Sequence, residues 1–135
     1  MQVVMALDVG IGIGAEDSVR LLLEITEGMD FEGLYAAYGR ETRADEPTPK
    51  QMFQLVMLGF MNGVYATRGM EAACRTDIRF MYVLGGKRVP DHSRFASFIR
   101  DRLSGRVGEE LFYQLVQALH ERGAVSYTHL RAHET

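Results

Sequence analysis

Apolar residues recur along most of this chain at the three- and four-residue spacing of a helix face. Residues 16–29 carry such a stripe in Val19, Leu22, Leu23 and Ile25, with Asp17 or Ser18 as the start signal. A second, short helix is expected over 31–38 and an exposed polar loop over 39–47. Thr48-Pro49 is a strong helix start: Thr48 can cap, Pro49 suits the first helical position, and Gln51 completes a capping box. In the helix that follows, Met52, Phe53, Leu55, Val56, Met57, Leu58, Phe60 and Met61 wrap most of the circumference, the pattern of a buried central helix. Thr67 can cap a helix over 68–75 and Asp77 the next, which Gly85-Gly86 stops. Pro90 blocks continuation, and Asp91 can cap a helix over 92–103. The last helix, 107–122, has Val107, Leu111, Phe112, Leu115, Val116 and Leu119 on one side and Gly123 as a C-cap. The pattern predicts an all-α, compact multi-helix domain with a helix-turn-helix-like segment, an irregular C-terminal tail, and a frayed or β-like extension at residues 2–9.

Length and composition fit that fold. The 135 residues suffice for one domain with a real core, and 47% hydrophobic with 24% charged content is ordinary for a globular chain. No apolar run approaches the ~20 residues that cross a bilayer, so no membrane partner is expected. The start MQVVMALDVG lacks a basic region and a small-residue cleavage site, which argues against a signal peptide. A single cysteine, Cys74, forms no internal disulfide and fits a reducing cytoplasm.

The net charge of −3 hides a strong asymmetry. Residues 1–66 hold four basic and ten acidic side chains, a local net of −6. Residues 67–106 hold nine basic against four acidic ones, a local net of +5, and residues 107–135 return to −2. A basic block inside an acidic chain is a candidate footprint for a phosphate backbone, and equally a solvated, salt-bridged helical surface.

If the block meets DNA, the helix over 92–103 is the candidate reader. Its apolar face is Phe95, Phe98, Ile99 and Leu103; the opposite stripe is Ser93, Ser97, Arg100 and Ser104. Small polar groups allow close approach, and the Arg100 guanidinium could contact guanine or phosphate. Arg94 flanks the stripe, Lys87 and Arg88 sit in the preceding turn where phosphates could be gripped, and Arg68 opens the block. Arg102 falls on the apolar side and is better placed to snorkel or pair than to read bases.

Several short motifs recur here in a specific order: Asn62-Gly63, Ala66-Thr67-Arg68, the stretch 71–80, Leu84-Gly85-Gly86, and Pro90 with Asp91, His92 and Ser93. Together they resemble the N-terminal region of bacterial insertion-sequence transposases of the DDE type. The likeness covers roughly residues 15–122 and includes DSVRLLLEITEGMDFEGLYAAYGR. It implies a DNA-recognition and assembly region acting on the element's terminal inverted repeats, possible homo-oligomers, and a bacterial, cytoplasmic, nucleoid-associated protein. In that family three carboxylates hold two divalent metals, Mg in the usual case, on a core C-terminal to the region matched. Asp8, Asp77, Asp91 and Asp101 match no catalytic motif, so the fragment is expected to lack the catalytic core, to carry no catalytic or metal-binding residue, and to need no cofactor. The family's proline-containing N-terminal segment is missing, which leaves residues 1–14 as a variable extension, 15–123 as the helical domain and 124–135 as a tail.

That tail, AVSYTHLRAHET, has no periodicity, and residues 125–135 resemble the translated read-through of a transposon-based sequencing adapter. The natural protein is therefore expected to continue beyond Gly123. His129 and His133 lie four apart but lack a third ligand, so no metal site is read there. Gly10, Gly12 and Gly14 lack the spacing and the βαβ context of a nucleotide loop. Cys74 reads as a buried inert thiol. The alternative to DNA recognition is a helical protein-interaction or dimerisation module whose arginines pair with acids of another subunit. A third reading, a stand-alone helical regulator, requires a genuine stop near residue 124.

Overall fold

A computed structural model describes residues 13–14, 17–38 and 42–123. Among them all regular structure is helical: α1 (Ser18–Glu27), α2 (Glu32–Tyr38), α3 (Pro49–Met61), α4 (Thr67–Thr76), α5 (Ile78–Leu84), α6 (His92–Phe98) and α7 (Arg106–Glu121). The expected extension at 2–9, most of the glycine run and the tail from 124 lie outside the described residues.

The helix starts follow from local hydrogen bonding. Asp17 accepts from the Val19 amide, Asp77 from Arg79 and Asp91 from Arg94, each satisfying a donor left free by the first helical turn. At α3 both halves of the capping box form: Gln51 N donates to Thr48 Oγ1 at 3.1 Å, and Thr48 N to Gln51 Oε1 at 2.9 Å. Thr67 behaves otherwise than its sequence suggests. It is the first helical residue of α4, Ala66 holds the cap position, and no side chain caps the helix.

The central helix is α3, which packs against α1, α2, α4, α5 and α6. Met52, Phe53, Leu55, Val56 and Leu58 have no exposed surface, and Phe31 meets Phe53 edge-on at 5.5 Å. Two polar side chains, Gln54 and Thr26, lie inside this shell. Gln54 donates to Thr26 Oγ1 at 2.8 Å while Thr26 donates to the Leu22 carbonyl at 2.8 Å, so the buried amide and hydroxyl satisfy each other.

Beyond Phe98 the expected continuous helix over 92–103 changes form, closing with a π-helical turn, Ile99–Leu103. The next helix, α7, then crosses close by: a side chain at Gly108 would collide with the backbone of Leu103, so the corner requires glycine. On α7, Leu111, Leu115 and Leu119 are buried and Val116 is half-buried. Phe112, expected on the inner side, instead stays 48% exposed, next to the buried Leu111 at the edge of the stripe.

Candidate nucleic-acid interface

The residues that frame this region are fixed by buttresses built from the 62–92 stretch. Arg79 binds Asp77 through Nη2 at 2.7 Å and also donates to the Asn62 side chain, tying the start of α5 to the end of α3. The Asp77 carboxyl is held below its usual range chiefly by that guanidinium, and the Arg79 pKa is raised in turn. Glu71 on α4 accepts the His92 amide at 2.8 Å and pairs with Arg75 at 3.3 Å, locking the first residue of α6 against α4. The amide bond from His92 is the main cause of its lowered pKa. Gly85, at φ 60°, ends α5 in the left-handed conformation that glycine adopts without strain.

These fixings present α6 with Ser93 exposed and Ser97 half-buried, and Arg100 is exposed on the π-helical turn that follows. Ser104 is also exposed, its hydroxyl donating to the Arg100 carbonyl. Arg100 is engaged by its neighbour: Nε and Nη2 reach the Asp101 carboxylate at 2.9 and 3.1 Å, which raises the Arg100 pKa and lowers that of Asp101. Arg102 lies over the Tyr38 ring at 5.1 Å, the stacked and snorkelled position that its place on the apolar side predicts.

The turn before α6 holds the other cations. Lys87 donates to the Gln51 side-chain oxygen at 2.9 Å, a neutral partner that leaves its charge uncompensated there. Arg88 pairs with Asp45 and Arg94 with Glu46, the latter at 3.0 Å. Arg88 and Arg94 thus border one cleft, and Lys87 precedes Arg88 in the turn that leads into α6. Arg68 stands on α4, exposed and without an ion-pair partner among the described residues.

The sequence did not point to the acids that face these cations. Asp45 and Glu46 lie in the loop read only as exposed and polar, 43 and 48 positions from their partners by number. Its mixture of two arginines and three acids was the available signal, but pairing across such a separation depends on the tertiary fold. Arg43, in the same loop, also borders this region. Cys74 is buried, and burial pushes its thiol up to about 12, in keeping with an inert role.

The fold and this surface define a small all-helical unit whose outer face combines cations with small polar side chains. Residues 13–101 match the transposase domain family (DUF772), about two thirds of the chain. The chain belongs to that family. No curated protein and no solved structure matches it. No helix among the described residues is long and apolar enough to cross a membrane, and no cluster of three or more metal-ligating side chains occurs among them.

Proposed function

We propose that this chain is the DNA-recognition and assembly region of an insertion-sequence transposase, lacking the catalytic core. The observation that carries the reading is the segment running from α6 through the π-helical turn to Ser104, in which Ser93, Arg100 and Ser104 are exposed, with Arg88 and Arg94 at one cleft and Lys87 in the turn before it, in a member of a transposase family. A helix with small polar residues and one guanidinium on its free face can enter a major groove, while flanking cations hold the phosphates. In this reading α4, α5 and α6 form the helix-turn-helix-like unit, α6 is the reading helix, and Arg68 grips the backbone from α4. The duplex partner is the element's terminal inverted repeat.

Catalysis and its divalent metal, expected to be Mg, belong to the part of the protein beyond this region. Among the described residues, Asp77 and Asp91 cap helices and Asp101 pairs with Arg100.

A competing reading, a protein-interaction or dimerisation module, draws on Phe112 and Tyr113, which are 48% and 66% exposed on α7. Duplex binding separates the two. Lys87→Ala should weaken all sequences alike, because it contacts phosphate only. Arg100→Ala should relax discrimination by about 1–3 kcal/mol at one position, because it reads a base edge. Binding indifferent to both substitutions would favour the interaction module.

A further inference from the structure

Three arginines from two separate segments border one open cleft of about 620 Å³, Arg43 from the loop before α3 and Arg88 and Arg94 from the turn and first helical turn of α6, with Glu46 and the α6 cap Asp91 on its wall and Asp45 just outside it. Such a convergence of guanidiniums is what oxyanions bind, yet here the cleft supplies its own. Asp45 pairs with Arg88 and lies 3.8 Å from Arg43, while Glu46 pairs with Arg94 and also accepts the Arg43 amide at 3.1 Å. The Arg88 guanidinium is the main cause of the lowered Asp45 pKa, so this carboxylate is charged at neutral pH. The loop is also held by backbone: Arg88 N donates to the Asp45 carbonyl at 2.8 Å. Its position therefore does not depend on the Asp45 carboxylate alone, and that exposed side chain can swing away while the loop stays, whereas buried Glu46 also holds the loop through the Arg43 amide.

We infer that the cleft bordered by Arg43, Arg88 and Arg94 is a DNA backbone-phosphate site whose guanidiniums are engaged in the free protein by Asp45 and Glu46 as internal substitutes for phosphate. The inference rests on the DNA reading above and adds to it a further contact, Arg43, and a built-in restraint on affinity. A phosphate that takes Arg88 must displace Asp45. The displaced carboxylate then stands within a Debye length of the duplex, where it is repelled and gathers a cation. That uptake offsets the counterion released by the phosphate, so Arg88 contributes little to the salt dependence while Asp45 is present. Lys87, whose partner is neutral, keeps its full contribution.

The test is a salt titration of the full chain with a short mixed-sequence duplex. Asp45→Asn keeps the shape of an exposed side chain and removes its charge. It should raise affinity several-fold at low salt and steepen the log–log slope by about 0.9, the value for one added phosphate. Adding Arg88→Ala to that variant should cancel both effects. Arg43→Ala should weaken binding, and Glu46→Gln should strengthen it as a second, independent release. If Asp45→Asn and Glu46→Gln bind as the native chain does while Lys87→Ala still weakens binding, the phosphate-substitute role is wrong and the DNA reading stands. If neither the native chain nor the released variants bind duplex at low salt, both fall together.

Discussion

Cys74 is 2% exposed on the inner face of α4, and its thiol keeps its proton to about pH 12 against an ordinary value of 9.0. The sign of the linkage follows. Between those two values the unfolded chain ionises this thiol and the folded chain does not, so its contribution to stability is complete below pH 9 and is lost as pH rises towards 12. Thermal melting across this range should decline less steeply for Cys74→Ala than for the native chain; parallel declines would contradict the assignment. Burial of this thiol was legible from its place in the helical stripe. So were the caps at Asp17, Thr48, Asp77 and Asp91, because a cap is a local exchange between a side chain and an amide two or three residues away. The distant partners of Glu71 and Arg79, His92 and Asn62, were not legible. Each acts across 17 or more positions, and sequence spacing carries no information on which distant atom a long side chain will meet.

At the scale of elements, α3 illustrates what periodicity decides well. Its apolar residues occupy almost the whole circumference, and a helix of that kind is stable only when other helices surround it. Phe53 is fully buried and touches Phe31, so Phe53→Ala should cost about 3–5 kcal/mol by leaving a cavity that the packed neighbours cannot close. Chemical denaturation measures this directly, and a loss below 1 kcal/mol would mean that α3 is not the centre of the core. The same reasoning was less accurate at the ends of elements. Thr67 has the chemistry of a cap but sits inside the helix, since the chain enters α4 through Ala66 in an extended conformation. The π-helical turn at Ile99–Leu103 leaves no mark on hydrophobic spacing, because it alters backbone pairing without changing which residues are apolar. Phe112 continues the apolar run of α7 by type, but its position on the helix turns it outward.

For the whole molecule, the charge division along the chain was readable, and its consequence was only half readable. The basic block of 67–106 and the acidic segment before it are both plain in the sequence. What the fold adds is that part of the acidic segment lies on the basic one, with Asp45 and Glu46 against Arg88 and Arg94. Five of the block's nine cations, Arg75, Arg79, Arg88, Arg94 and Arg100, thereby pair with carboxylates of the same chain. The two pairs exposed on both sides, Arg88–Asp45 and Arg100–Asp101, are screened by solvent and contribute little, so they neither account for the stability of the fold nor prevent a polyanion from competing for those arginines. Lys87 and Arg68 are the cations of the candidate surface that carry no such carboxylate partner among the described residues. The most direct test of the account is therefore the salt dependence of duplex binding by the native chain beside Lys87→Ala. The account predicts affinity that falls steeply as salt rises, and a log–log slope made shallower by about 0.9 when Lys87 is removed. No binding at low salt, or a slope unchanged by the substitution, would contradict it.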